Sequence, residues 1–279
     1  RTRRQERQPP PSAPARRQAA GPPQVSGSLV FGLHAVRAVL ERRPRDVLRL
    51  TIVAARDDAR MRDLRLFAAA QGITPAAASV EALDRETGGA AHQGVVAEVR
   101  PRAPLNENLL LDLLTATAEP ALVLVLDGVS DPHNLGACLR TADAAGATAV
   151  VAARDRAAGL TPVVRKVAAG AAETVPFAQV TNLARTLRDL KQAGLWIAGT
   201  TEDGDQDLYG ADLRGPLALV MGAEGRGLRR LTLECCDLRL RLPMRGAVAS
   251  LNVSVAAGIA LYEVLRQRRP QLAKGQPVR

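Results

Sequence analysis

The apolar run at residues 122–126, Leu-Val-Leu-Val-Leu, restricts the fold of this chain more than any other feature. A strand with no polar face is typical of a parallel sheet that is covered by helices on both sides. Strand and helix patterns alternate through the rest of this half of the chain. Strands are predicted at 149–152, 195–199 and 217–221, and helices at 133–145, 162–172, 182–193 and 251–268. This alternation predicts an α/β domain with a parallel sheet and crossover helices.

The first hundred residues carry a second, smaller α/β pattern. Helices are predicted at 34–43, 59–71 and 80–87, and strands at 50–54, from Ile73 onward and at 94–99. Residues 101–120 have prolines at both ends and a leucine-rich middle, which indicates a linker with a short helix. We therefore expect a domain at 29–100, a linker at 101–120, a larger domain at 121–269 and a short tail at 270–279.

The charge of the chain favours a polyanionic partner. Its 279 residues carry 38 Lys and Arg against 28 Asp and Glu, a formal net charge of +10. Basic balance of this kind usually indicates nucleic acid. Residues 1–28 are rich in Pro, Gly, Arg and Gln, so we expect a disordered basic tail. Two interpretations of this tail stay open, namely a solvated arm that aids solubility and an arm that binds phosphates without sequence preference.

Cysteine usage and hydropathy indicate a cytoplasmic protein. Cys138, Cys235 and Cys236 show no spacing typical of a metal site, and the adjacent pair is poorly placed to form a bridge. Cys235 and Cys236 are expected to pack as small apolar residues, and a reducing compartment is the natural location of the chain. Charges or prolines interrupt every apolar stretch before it reaches membrane-spanning length. We therefore expect neither a metal site nor a membrane partner.

Three segments follow predicted strands, where open α/β sheets bind ligands. Residues 127–140 read Asp-Gly-Val-Ser-Asp-Pro-His-Asn-Leu-Gly-Ala-Cys-Leu-Arg, and residues 220–227 read Val-Met-Gly-Ala-Glu-Gly-Arg-Gly. Residues 242–254 read Leu-Pro-Met-Arg-Gly-Ala-Val-Ala-Ser-Leu-Asn-Val-Ser. We expect the three segments to form one site. Its candidate polar side chains are Asn134, Arg140, Glu224, Ser250 and Asn252.

Four of the five polar residues also have a purely structural interpretation. Asn134 and Ser250 are suitable helix caps, Arg140 is suited to solvent, and Glu224 is placed to favour the dipole of a helix beginning near Leu228. The apolar face of the last helix suits either core packing or a subunit interface. The three histidines give little indication of function. His34 and His92 are interpreted as local structural residues and His133 as a turn residue. The glycines at 222–227 match neither the dinucleotide fingerprint nor a Walker A loop.

In this order and spacing, the three segments resemble motifs 1, 2 and 3 of the SpoU (TrmH-like) RNA ribose 2'-O-methyltransferases of the SPOUT class. Residues 29–99, beginning Leu-Val-Phe-Gly-Leu-His-Ala-Val, resemble that family's N-terminal RNA-binding domain, which is similar to the L30e and L7Ae ribosomal proteins. The resemblance covers residues 29–268. It implies a C-terminal α/β domain with a deep trefoil knot, an exception to the rule against knots. It also implies a homodimer and an S-adenosylmethionine pocket formed by the knot.

The resemblance further implies roles for individual residues. Gly222, Leu242 and Leu251 are expected to contact S-adenosylmethionine, and Thr200 is a further candidate. Arg140 matches the family arginine proposed to activate the ribose 2'-hydroxyl. Asn134 and Glu224 are expected to position RNA and the catalytic loop, and Asn252 is expected to position the arginine or the cofactor. Ser250 matches a further polar motif position. Ala249 departs from the serine that close relatives often carry, and Ser250 beside it is retained.

The implied reaction is 2'-O-methylation of a guanosine ribose in 23S rRNA, which needs no metal. A tRNA guanosine is the first alternative substrate, and the N-terminal domain speaks against it because the simple tRNA enzymes usually carry helical extensions in its place. A non-catalytic RNA-binding assembly factor is the second alternative, and retention of the motif residues speaks against it. A Rossmann-type methyltransferase is disfavoured because no glycine-rich loop follows the first strand of the large domain.

Overall fold

A computed structural model describes residues 27–269 of the chain. The predicted basic tail and the predicted C-terminal tail therefore lie outside the described residues, apart from Gly27 and Ser28. The secondary structure consists, in chain order, of β1 (Ser28–Phe31), α1 (Leu33–Arg42), β2 (Val47–Val53), α2 (Ala59–Ala70), β3 (Ala76–Ala78), α3 (Val80–Thr87), β4 (Val95–Val99), α4 (Glu107–Thr115), β5 (Leu122–Asp127), α5 (Pro132–Ala144), β6 (Ala149–Ala153), α6 (Pro162–Ala168), α7 (Ala171–Thr174), β7 (Phe177–Val180), α8 (Leu183–Gln192), β8 (Trp196–Thr200), β9 (Gln206–Asp207), β10 (Leu217–Gly222), α9 (Arg230–Leu233), β11 (Leu238–Arg241) and α10 (Val253–Arg268).

The N-terminal sheet has four strands in the order β1-β4-β2-β3. β4 pairs antiparallel with β1 and β2, and β3 pairs parallel with β2. Helices α1 and α2 pack on it through buried residues that include Val36, Leu40 and Leu64. The strand predicted from Ile73 begins three residues later, because Ile73 packs against this core and the alanines at 76–78 pair with β2.

The C-terminal sheet has seven strands in the order β7-β6-β5-β10-β8-β11-β9, and every pairing in it is parallel. All six residues of β5 are buried. Helices cover both faces, with α5, α6 and α10 on one side and α4 and α8 on the other. The predicted α/β class with a parallel sheet is therefore confirmed. The trefoil knot stays a prediction, because strand order and pairing alone do not establish chain threading.

Two predicted helices differ from the observed ones. The helix predicted at 162–172 is interrupted, because Ala169 and Gly170 adopt left-handed backbone angles, with φ of 51° and 95°. A Cβ at position 170 would lie 3.2 Å from Val30 Cγ1, so this sharp turn lets the chain approach the N-terminal sheet closely. The last helix begins at Val253 rather than residue 251, because the Asn252 side chain accepts a hydrogen bond from Ser254 N and caps it.

The predicted linker contains the short helix that its pattern indicates, α4. Leu110 and Leu114 of α4 are buried against the C-terminal sheet, and Leu105 N donates to Phe177 O at 2.8 Å. The second half of the linker therefore packs as part of the C-terminal structure. The exact domain boundaries stay predictions.

Cys235 is buried, as expected, whereas Cys236 is only partly buried; Cys138 is buried as well, and none of the three is bridged. Burial raises the pKa of the Cys138 thiol to about 12, so this residue of α5 is not a candidate nucleophile. Within residues 27–269, no helix combines the length and apolar character needed to cross a membrane. The same part of the chain contains no cluster of three or more His, Cys, Asp or Glu side chains that could hold a metal ion.

The topology brings the three motif segments to one edge of the C-terminal sheet. β5 lies between β6 and β10, so the chain leaves β5 toward one side and the neighbour on the other side comes from much later in sequence. A crevice forms outside the carboxyl ends of strands at such a switch point, and ligands bind there in open α/β sheets. The carboxyl ends of β5 and β10 are Asp127 and Gly222, which are paired in register.

Candidate active site at the carboxyl edge of the sheet

The first segment begins α5 with a tight cap. The Asp131 side chain accepts a hydrogen bond from His133 N at 3.0 Å, and Pro132 occupies the first helical position. His133 is thus a first-turn helical residue and not a turn residue. Asn134 is the third residue of the helix, so its interpretation as an N-cap is wrong. Its side chain is free to make longer-range contacts.

Asn134, Glu224 and Asn252 form a hydrogen-bonded cluster that joins all three segments. Glu224 Oε1 accepts from Asn252 Nδ2 at 2.7 Å, from Asn134 Nδ2 at 3.2 Å and from Val253 N at 3.3 Å. Asn252 Nδ2 also donates to Asn134 Oδ1 at 2.9 Å. The structure therefore brings these three predicted site residues together, although Asn134 and Asn252 are 118 residues apart in sequence.

Glu224 does not serve the helix that sequence reasoning assigned to it. The helix after the second segment is α9, which begins at Arg230 with Arg229 at its N-cap position. Glu224 instead accepts from Val253 N at the start of α10. Its carboxylate therefore favours the dipole of the last helix and fixes the entry of the third segment into it.

A pocket of about 370 Å³ lies beside this cluster. Its lining comes from the loop after β5, the loop after β10 and the first residue of α10. The lining residues are Gly128, Val129, Ser130, Asp131, Asn134, Ala223, Glu224, Arg226 and Val253. Gly227 N donates to Ala223 O at 2.9 Å, so the loop that carries Glu224 is closed on itself. The pocket is polar, open to solvent and built from short, constrained loops.

Asp127 is a site residue to which sequence reasoning gave no role. Its side chain is fully buried, and its Oδ2 accepts from Arg229 N at 2.8 Å. Arg229 Nε lies 3.4 Å from Oδ1, near enough for an ion pair but without hydrogen-bond geometry. Asp127 therefore anchors the far end of the loop that carries Glu224. A charged residue directly after five apolar ones was the signal that could have revealed it.

Arg140 and Ser250 do not line this pocket. Arg140 is exposed on α5, six residues after Asn134, which is about 9 Å along the helix axis and about 240° around it. Ser250 belongs to the exposed stretch 245–250 and does not cap α10, because Asn252 has that role. The structure of one chain therefore unites three of the five candidate catalytic residues and leaves two outside the cluster.

Three of the four candidate cofactor residues lie at the carboxyl ends of three adjacent strands. Thr200 ends β8, Gly222 ends β10, and Leu242 directly follows β11. Leu251 lies at the other end of the loop that Leu242 begins, and both leucines are partly buried against the main core. The Thr200 hydroxyl donates to Val220 O at 3.2 Å, which joins the ends of β8 and β10.

The polar groups at these strand ends fit a ligand with many hydrogen-bonding atoms. Between Leu242 and Leu251 no peptide group takes part in a backbone–backbone hydrogen bond within the described part of the chain. Close by, the buried Thr201 hydroxyl has no hydrogen-bond partner among the described residues, whereas Thr201 N donates to Leu240 O. Buried polar groups normally have partners. Available peptide groups and an orphaned hydroxyl suit the adenosine and amino acid parts of the cofactor that the resemblance implies.

Gly222 tests this arrangement, because its replacement by alanine should distort the loop after β10. A Cβ there would lie 2.3 Å from Gly227 C and 2.6 Å from Leu228 N, both backbone atoms that cannot move alone. Overpacking of this kind costs about 1–3 kcal/mol, or about 2–10 °C in Tm for a chain of this size. We also expect calorimetry to show at least about tenfold weaker binding of S-adenosylmethionine.

The matched control is Gly215→Ala, in the turn before the same strand, where an added Cβ meets nothing within 4 Å. The control should keep both the melting temperature and cofactor binding. Equal behaviour of the two variants would show that the tight turn at Gly222 is unimportant for the pocket.

Comparison with known proteins shows the family to which this chain belongs. The SpoU rRNA Methylase family model matches residues 121–262, and the model for RNA 2'-O ribose methyltransferase substrate binding matches residues 29–105. The chain belongs to the SpoU rRNA methylase family, as the three motif segments indicate.

Individual proteins of this family are similar to the chain over most of its length. The chain is 53% identical over 240 residues to the 23S rRNA (guanosine-2'-O-)-methyltransferase RlmB of Pseudomonas putida, covering 86% of this chain and 96% of the relative. It is 54% identical over 241 residues to the RlmB of Pseudomonas aeruginosa, covering 86% and 97%. A solved structure, the SpoU methyltransferase AviRb of Streptomyces viridochromogenes in complex with AdoMet, is 27% identical with a TM-score of 0.62, covering 86% and 90%.

Proposed function

We propose that this protein transfers a methyl group from S-adenosylmethionine to the ribose 2'-oxygen of a guanosine in 23S rRNA. The observation that carries the proposal is the hydrogen-bonded cluster of Asn134, Glu224 and Asn252, which joins the three motif segments beside a polar pocket. The RlmB relatives of Pseudomonas putida and Pseudomonas aeruginosa, which are named for this activity, are more than half identical and align over nearly their whole length. AdoMet is bound in a solved family member of similar fold.

The carboxyl ends of β8, β10 and β11 would hold the cofactor. Thr200, Gly222, Leu242 and Leu251 are the residues that would contact it, largely through backbone groups. The bound cofactor supplies an already activated methyl group, so the task of the protein is to orient the two reactants. Fixed orientation alone can contribute several kcal/mol to a methyl transfer, because it removes the entropic cost of bringing two molecules together.

The polar residues act on the RNA and on the loops. Asn134 and Glu224 position the target nucleotide in the pocket, and Asn252 ties both to the start of α10. Arg140 stabilises the charge that develops on the ribose 2'-oxygen. Ser250, on the loop between Leu242 and Leu251, closes the site around the reactants.

The active form is a homodimer in the cytoplasm. Helix α10 exposes Val255 at 51% and Tyr262 at 49%, with Ile259 between them only partly covered. Apolar side chains at this spacing form one stripe along a helix, and a second copy is a suitable cover for such a stripe. Because α5 packs beside α10, the same contact would lie close to Arg140.

Methyl transfer from labelled S-adenosylmethionine to undermodified 23S rRNA and to bulk tRNA, run in parallel, tests the proposed substrate. Label on one guanosine of the rRNA is the expected result. Label on tRNA alone would overturn the rRNA substrate and keep the reaction. Label on neither, with cofactor binding intact, would direct the search to a ribosomal precursor. Loss of cofactor binding as well would favour a non-catalytic RNA-binding protein.

A further inference from the structure

A groove of about 570 Å³ separates the N-terminal sheet from the C-terminal domain, away from the pocket already discussed. One wall is formed by β1 and the end of α3, and the other by the first residues of α6. Among the residues that line it are Ser28, Phe31, Arg85, Gly88, Pro162 and Lys166. Lys166 reaches across, since its Nζ lies 3.5 Å from the position that a Cβ would take at Gly88 on the opposite wall. Both structural units therefore contribute to one surface.

The charge in this groove is positive and unbalanced. Arg85 and Lys166 are exposed, and neither forms an ion pair with any residue between 27 and 269. The other charged lining groups are already paired. Glu86 accepts from Arg49 at 2.5 Å, and Arg165 is paired with Glu173. Two cations, one on each wall, are therefore available to a polyanion.

A buried carboxylate holds the two walls at a fixed separation. The Glu173 side chain is 1% exposed, and its Oε2 lies 3.2 Å from Nη1 of Arg43, a residue of the N-terminal unit. On the other side it pairs with Arg165 of α6. Arg43 also donates to Glu173 O at 3.1 Å and to Arg100 O at 2.9 Å. Because these groups are buried and multiply bonded, the groove is preformed, and a ligand need not meet the cost of ordering it.

The groove leads toward the candidate active site. Leu160 and Pro162 line it, and Ala158, just before them, donates its N–H to Val129 O at 3.0 Å. Val129 lines the active-site pocket. Four residues span at most about 14 Å of extended chain, so the groove and the pocket are near neighbours. One extended strand of RNA can reach both.

We infer that this interdomain groove binds the RNA backbone beside the methylated nucleotide, with Arg85 and Lys166 contacting phosphates from opposite walls. The inference rests on the proposed function, because it takes RNA as the substrate. It adds a site that spans both structural units to the pocket where the ribose reacts. The N-terminal unit then contributes to substrate placement through its position relative to α6.

Salt-dependent RNA binding tests the groove. Fluorescence anisotropy with a 23S rRNA fragment should show about tenfold weaker binding for the double variant Arg85→Ala/Lys166→Ala. A phosphate contact to a single strand contributes about 0.7 to the slope of log K against log salt, so the slope should fall by about 1.4. The control is Arg188→Ala, an exposed cation on α8 at the opposite face of the sheet, which should keep the wild-type slope. A double variant with the wild-type slope, or a control with the same loss, would overturn the inference.

A second measurement needs no variant and therefore no assumption about folding. Lys166 in the wild-type protein should react more slowly with an amine-specific label when the rRNA fragment is bound, by about fivefold or more when read by mass spectrometry. Unchanged labelling of Lys166 under saturating RNA would contradict the groove. A methyl-transfer assay on the same preparation distinguishes failure of this inference from failure of the proposed function. If the protein is active but Lys166 is not protected, the proposed function stands and RNA binding in the groove is refuted.

Discussion

Replacing Arg140 with alanine is expected to lower kcat for methyl transfer by about 10²- to 10³-fold, the range seen when one donor to a developing oxyanion is removed. Dissociation constants for S-adenosylmethionine and rRNA should stay within about threefold of wild type. The reason is that a donor to the developing oxyanion acts in the transition state and contributes little to binding of either reactant in the ground state. Single-turnover kinetics with saturating RNA, together with equilibrium binding, measures both quantities.

Arg188→Ala is the matched control for this experiment, since it removes the same charge from an exposed helical position on the other face of the sheet. It should leave kcat unchanged. An Arg140→Ala enzyme with wild-type kcat would remove this residue from the mechanism. A variant that loses RNA binding in proportion to kcat would make Arg140 a substrate contact instead.

Replacing Glu224 with alanine is expected to lower kcat/KM by about 10²-fold, which corresponds to about 2.7 kcal/mol. The change removes the acceptor shared by Asn134 Nδ2, Asn252 Nδ2 and Val253 N, and Asn252 Nδ2 keeps only its hydrogen bond to Asn134 Oδ1. The loops after β5 and β10 and the start of α10 then lose their common partner. Glu224→Gln keeps an acceptor oxygen at this position and should lose only about tenfold, because hydrogen bonds to a charged group are about twice as strong as neutral ones.

Glu234→Ala provides the comparison for Glu224, because Glu234 is an exposed carboxylate that pairs with Arg230 in one helical turn. Its loss should leave kcat/KM unchanged.

A double-mutant cycle of Asn134→Ala and Asn252→Ala should show coupling of about 0.5–3 kcal/mol, since the two side chains are in direct contact. Additive effects of these two changes would contradict the cluster as a unit.

The sequence pattern predicts the parallel sheet and the convergence of the three motif segments, and the physical reason is local. The apolar run at 122–126 has no polar face and can only be buried, and β5 is indeed buried along its whole length. Glycine, proline and polar residues after such strands mark the carboxyl edge. The pattern after these strands therefore predicts Asn134, Glu224 and Asn252 as candidate site residues.

Local sequence patterns do not encode contacts between segments that are distant in sequence. Asn134 and Glu224 were assigned alternative roles in capping nearby helices, whereas each side chain in fact bonds to residues far away in sequence. The break after Ala168 has the same origin, because the close approach of Gly170 to Val30 belongs to a domain contact that no local pattern encodes. The buried Glu173 between Arg43 and Arg165 gave no recognisable signal either.

The most direct test of the proposed function is a map of ribose methylation on 23S rRNA from cells that lack this protein. One guanosine should have lost its 2'-O-methyl group, and expression of the wild-type chain should restore it while the Arg140→Ala chain does not. An unchanged methylation pattern in the deletion strain would contradict the account, and so would full restoration by the Arg140→Ala chain.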